Sequence, residues 1–204
     1  MKIAIDINDV LRDYSRQFRI QYQKSIDPYF DIGDEDITTL DFYEIFPFEN
    51  RDAYNKFKYV DNVFEIFGRA ESVDKMLPYR FNDWVQNTMR DFDDENVPDI
   101  MLVSPFEANM SIQATHLFLT TTSSRVREVY FPVDSQTVWD RCDILITANP
   151  VYFKNAPEGK TVIKINKPYN KDFEVKYSFN SMMDVINDKD EIIIKLIENN
   201  DRDK

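Results

Sequence analysis

Four short segments hold the residues best suited to chemistry. They are Asp6-Ile-Asn8-Asp9-Val10, Ser104-Pro105-Phe106-Glu107, Thr147-Ala148-Asn149-Pro150 and the stretch around Lys160. The first three follow short apolar, β-branched runs and the fourth lies beside another. An aspartate can attack an electrophilic centre or hold a cation. A serine hydroxyl can hydrogen-bond phosphoryl oxygens, and a lysine can screen phosphate charge. In an open parallel sheet such groups gather where strands end at their carboxyl edges, so these segments can share one crevice.

The elements that would position them follow from the apolar pattern. Residues 2–6 (KIAID) predict a buried strand, and Leu11, Tyr14, Phe18 and Tyr22 predict a helix that stops near Pro28. Further strands are predicted at 99–104, 127–131, 143–147 and 161–165, with helices over 109–119, 135–141 and from 181 onward. A helix over 80–92 places Phe81, Trp84, Val85 and Met89 on one side. Short apolar strands alternating with helical patterns predict an α/β protein with a parallel sheet covered on both faces. Residues 28–97 are less regular and rich in aromatics, and are expected to form a mostly helical insertion. The domain reading is therefore an α/β core of 1–27 and 98–204 with a cap of 28–97.

Composition narrows the function. The chain has 204 residues, enough for a sizeable core. With 25 Lys+Arg against 37 Asp+Glu, the net charge of -12 argues against general nucleic-acid binding. One cysteine, Cys142, allows no internal disulfide. The early charge at Asp6 leaves no signal-peptide apolar region, and no apolar run approaches a membrane span. The expected location is the cytoplasm. Three glycines, Gly33, Gly68 and Gly159, exclude a glycine-rich phosphate loop.

The order KIAIDINDVL, MLVSPFE, CDILITANP and EGKTVIKINKPYN resembles the haloacid dehalogenase (HAD) superfamily, most closely its 5'(3')-deoxyribonucleotidase-like branch. The resemblance rests on 2–11 and 99–175. It implies a three-layer, Rossmann-like parallel sheet with a helical cap at 28–97. It also implies that Asp6 is a nucleophile forming an aspartyl-phosphate with Mg²⁺, that Ser104 binds phosphate, and that position 8 carries the general acid and base. A basic phosphate ligand is expected among Arg125, Arg127, Arg141 and Lys160, with Lys160 the working choice. Asp6, Asn8, Asp9 and Asn149 are the candidate metal ligands.

The chain departs from that pattern at two separated strand ends. Position 8 is an amide, which cannot protonate a leaving oxygen. The end of the fourth strand, Thr147-Ala148-Asn149, has no carboxylate, and Asp143 lies at the strand's start, roughly 13 Å away at a rise of about 3.3 Å per residue. Mg²⁺ favours hard oxygen ligands that usually include one or two carboxylates. The expectation is a HAD-like protein with a degraded phosphatase site. It is non-catalytic and acts as a structural, assembly or binding subunit, with protein partners or a second copy of itself. It holds no cofactor, or Mg²⁺ only weakly. A virus particle or tail complex is one setting, which would put it in the host cytoplasm or the virion. The alternative is a Mg²⁺-dependent phosphatase of the 5'-nucleotidase type acting on nucleotides or other small phosphate esters.

Structural roles compete for the same residues. Asp6 either attacks phosphorus or caps the following helix. Ser104 either holds phosphate or ends a strand in a Ser-Pro turn, and Asn149-Pro150 suits a strand-to-helix turn. His116, the single histidine, is expected to be packed, and Cys142 to be a small buried hydrophobe. The aromatics of 42–67 are expected to form the core of the cap or to meet a partner.

Overall fold

A computed structural model describes residues 1–86, 98–105, 107, 110–188 and 191–202. Six parallel strands form one sheet: β1 (Lys2–Asp6), β2 (Asp99–Val103), β3 (Glu128–Tyr130), β4 (Ile144–Thr147), β5 (Thr161–Ile165) and β6 (Tyr177–Phe179). Their order is β3-β2-β1-β4-β5-β6. The chain therefore builds outward from β1 on one side, then crosses to build outward on the other. The reversal lies between β1 and β4, the place where open α/β sheets form their binding crevice.

The sheet is buried on both faces, as its near-continuous apolar strands require. Ile3, Ile5, Leu102, Ile144, Ile146, Ile163 and Ile165 enter one core. The alternate positions Ala4, Met101, Val103, Leu145 and Val162 enter the other, with Trp139, Cys142 and Tyr152. Cys142 thus plays the expected part, its thiol pushed up to about 12 by burial. The strand β6 has three residues and was not legible as a separate run.

The helices are α1 (Tyr14–Ser25), α2 (Arg51–Lys56), α3 (Leu77–Gln86), α4 (Met110–Thr121), α5 (Gln136–Trp139), α6 (Val151–Lys154), α7 (Met182–Ile186) and α8 (Ile192–Arg202). The predicted continuation of α3 over 87–92 lies outside the described residues. Among those described, no helix is long and apolar enough to cross a membrane. His116 corrects its expectation. It lies on the exposed side of α4, opposite the buried Ala114, Thr115 and Phe118, and meets the Phe131 ring at 5.5 Å.

Two backbone hydrogen bonds tie residues 11–13 to residues 71–73, within the stretch that the expected insertion occupies. Val73 N–H donates to the Leu11 carbonyl and Asp13 N–H to the Glu71 carbonyl. Residues 14–70 run between these bonds, and their aromatic side chains join the same core as Ile3, Ile5 and Ile146. Phe18 and Tyr22 of α1 sit among Phe42, Phe46, Phe48 and Phe57, with ring centroids 4.7–6.4 Å apart. The helix α3 instead packs on α7. Within the stretch 14–70, regular helix is limited to α1 and α2. Short 3₁₀ turns at Asp34–Asp36 and Phe42–Glu44 and two π-helical turns at Phe57–Asp61 and Phe64–Gly68 complete it. The second π turn lies against α4, and a side chain at Gly68 would come within 3.1 Å of the Ala114 carbonyl oxygen. Glycine is required there by close approach.

Candidate functional site

Asp6 ends β1. Ile5 pairs with Ile146 in the parallel ladder, which sets Asp6 beside Thr147 at the end of β4. The pleat puts both on the face of Ala4 and Leu145. The Thr147 hydroxyl donates to Asp6 Oδ2 at 2.7 Å and accepts from the Asn149 N–H at 3.0 Å. Asp6 Oδ1 accepts from the Asn8 N–H at 3.2 Å. The carboxyl group therefore caps the loop that leaves β1 and not the helix after it. Burial lifts its pKa to about 7, against the hydrogen bonds from Thr147 and Asn8 that favour the carboxylate.

Asn8 is held by a buried arginine. Arg12 donates to Asn8 Oδ1 from Nε at 3.0 Å and from Nη2 at 2.5 Å. Its remaining donors reach the Phe67 carbonyl at 2.7 Å, Thr115 Oγ1 at 2.6 Å and Glu107 Oε1 at 2.6 Å. All five guanidinium donors are used, which is how a side chain with no exposed surface can remain charged. The network closes through Ser104. Its hydroxyl accepts from Asn8 Nδ2 at 3.3 Å and donates to Glu107 Oε1 at 2.5 Å. Asn8 and Ser104 are thus brought together near Asp6, as their strand-end positions implied. Both are already committed to structural partners.

Asp9 adopts a left-handed backbone, φ 58°. Its carboxylate accepts from the Ser15 N–H at 2.8 Å, the Ser15 hydroxyl at 2.5 Å and the Tyr169 hydroxyl at 2.9 Å. Asn149 turns its amide oxygen to the Val151 N–H at 3.1 Å, capping the first turn of α6. Lys160 corrects its expectation. It precedes β5, at the amino edge of the sheet, and its ammonium pairs with Asp143 at 3.0 Å. A residue before a parallel strand lies at the edge opposite to one that follows it. Arg141 pairs with Glu128 at 3.8 Å, while Arg125 and Arg127 are exposed. None of the four lines the crevice.

A cleft of about 80 Å³ opens over these strand ends. Its walls are Asp6, Asn8, Asp9, Pro105, Asn149 and Tyr169 from the core, with Tyr14, Leu40, Lys58 and Phe67 from the stretch 14–70. The cap side was missed at the level of residues. Lys58 sits in an aromatic run where a charge reads as a solvated helix face. Arg12 and Glu107 lie 95 positions apart, so nothing local announces their pairing. The one available signal for Arg12 was a charge following the apolar pair Val10-Leu11.

Two carboxylates line the cleft, Asp6 and Asp9. Asp9 already accepts three hydrogen bonds. The Thr147 hydroxyl accepts from Asn149, so its own proton points at the Asp6 oxygen that a cation beside β4 would use. The side-chain oxygens of Asn8 and Asn149 are turned to Arg12 and Val151. Among the described residues no group of three acidic, histidine or cysteine side chains is gathered as a metal cluster. The donor set does not fit Mg²⁺, which needs several oxygens turned toward one point.

No protein-family model and no curated protein sequence matches the chain. Among solved structures it is similar to a protein described as the HAD-hydrolase YfnB from Bacillus subtilis, determined bound to magnesium. That match has 9% identity and a TM-score of 0.52, and covers 91% of this chain and 96% of the other. With its strand order and strand-end cleft, the likeness defines the class: this chain has the HAD-like α/β fold. At that identity the likeness concerns shape alone.

Proposed function

We propose that this is a HAD-fold binding protein that holds a small anionic ligand, a phosphate ester or a related acid, in the cleft without hydrolysing it. The observation that carries the reading is the hydrogen bond from Thr147 to Asp6. A hydroxyl, and not a carboxylate, meets the nucleophile position across the β1–β4 crevice. Asn8 adds to it, because an amide clamped by Arg12 cannot deliver a proton to a leaving oxygen. What remains is a small cleft with aromatic walls and a few convergent polar groups, the kind of lining a small-molecule site uses. The fold likeness gives no support to a particle or tail complex.

One observation favours the alternative, a Mg²⁺-dependent phosphatase. Asp6 is kept at the cleft wall at a cost in stability, as nucleophiles often are. The two readings part in a phosphate-release assay with nucleotides, sugar phosphates and acetyl phosphate, with Mg²⁺ or EDTA, beside Asp6→Asn. The expected result is no release above that of Asp6→Asn on any substrate. Release that needs both Mg²⁺ and Asp6 would replace the binding reading with the phosphatase.

A further inference from the structure

Lys58 is the one cation on the cleft wall among the described residues, and it comes from the insertion. Its ammonium lies 4.7 Å from the Tyr59 ring centroid, 5.6 Å from Tyr14, 5.7 Å from Tyr54 and 6.0 Å from Phe67. Its hydrogen-bond partner is the Tyr54 hydroxyl at 3.4 Å, and among the described residues no carboxylate is paired with it. The residue is half-buried overall, yet its charged end is enclosed by rings. Ring faces attract a cation, but more weakly than a carboxylate does. Desolvation accordingly pulls the Lys58 ammonium down to about 8, even with Glu107 and Asp41 favouring its charge. The other basic residues of the described chain near these strand ends do not line this cleft: Lys167 lies in the adjoining hollow beside Asp9 and Asp13, and Lys164 donates to the Phe173 carbonyl. Arg12 is spent on Glu107 and Asn8, and Lys160 is at the far edge.

The opposite wall has the opposite sign. Asp6 and Asp9 stand at the strand ends with no lysine or arginine in ion-pair contact. An anion entering the cleft is repelled there and attracted to the insertion side. We infer that Lys58 anchors the anionic group of the ligand, a phosphate or carboxylate on a flat apolar body, from the insertion and not from the strand ends. The body then lies along Tyr14, Phe67 and Pro105, with Asn8 and Asp6 facing its far end. This rests on the binding function proposed above and reverses the orientation that attack by Asp6 would require.

Calorimetric titration with phenyl phosphate, benzoate and inorganic phosphate tests it on the whole chain and on Lys58→Met, Lys58→Arg and Lys56→Met. Lys56 is an exposed residue two positions away and serves as the control. The wild type should bind phenyl phosphate or benzoate, and whichever binds tighter identifies the acid. Inorganic phosphate should bind more weakly for want of a ring. Lys58→Met should weaken binding about tenfold or more, while Lys58→Arg and Lys56→Met stay within about threefold of wild type. Thermal melts without ligand keep the test clear of misfolding. Lys58→Met, which removes an unpaired inward cation, should melt no lower than wild type. Unchanged binding in Lys58→Met, or no binding of either aromatic acid to the wild type, would overturn the assignment. Turnover of phenyl phosphate would overturn the binding function instead, and the Lys58→Met effect would then appear in KM.

Discussion

Replacing Arg12 by methionine should destabilise the fold by about 3–5 kcal/mol, the cost of leaving one partner of a buried ion pair without the other. The guanidinium has no exposed surface, and among the described residues Glu107 keeps only hydroxyl donors once it is gone. The substitution also frees the Phe67 carbonyl, Thr115 and Asn8 at once. Methionine fills much of the volume beside Phe67 and Phe118, so the loss is chiefly electrostatic. The double variant Arg12→Met/Glu107→Leu should recover a large part of it, because the orphaned carboxylate is removed too. Urea denaturation of the two single variants and the double checks this. Equal destabilisation by Arg12→Met and the double would mean that packing, and not the buried charge, is what Arg12 supplies.

Asp6→Asn should work in the opposite direction and stabilise the protein, by roughly 4 kcal/mol at pH 8. The folded group titrates at about 7 and the unfolded one near 3.8. Between those values the folded state holds a proton that the unfolded chain has released. This contribution to stability therefore falls as pH rises through that window, and the penalty is complete above it. The amide carries no such penalty. Its oxygen can still accept from Asn8, and its nitrogen can donate to Thr147. Denaturation curves of both proteins from pH 4 to 8 should nearly coincide at the acid end and separate steadily toward pH 8. A variant less stable than wild type throughout would show that the ionised carboxylate is needed by its neighbours.

Much of this architecture was legible because strands buried on both faces are written as apolar runs. KIAID, DILIT and TVIKI could be placed almost to the residue. Their parallel arrangement then set Asp6, Ser104 and Thr147 at one edge, so the core half of the site followed. The insertion was harder for a physical reason. Its helices are short, broken by 3₁₀ and π turns, and held by ring packing between α1 and residues 42–57, which leaves no clean 3.6-residue period. Lys160 stands before β5 and not after it, so the parallel sheet carries it to the edge opposite Asp6. Lys58 was hidden by its sequence company. Among Phe57, Tyr59 and Val60, only the fold turns its ammonium onto four rings. Asn8 shows a sharper limit. Its amide excluded proton transfer from sequence alone, but its binding to a buried arginine four positions later needed coordinates.

In the proposed binding function the Asp6 crevice holds no catalytic cation. Titration calorimetry of the wild type with Mg²⁺, beside Asp6→Asn, tests it most directly. The account predicts no saturable binding up to about 10 mM, well beyond the range of a site built from several carboxylates. Heats in the two proteins should not differ. A saturable Mg²⁺ site in the wild type that disappears in Asp6→Asn would contradict it, and would require Thr147 to turn its hydroxyl away from Asp6.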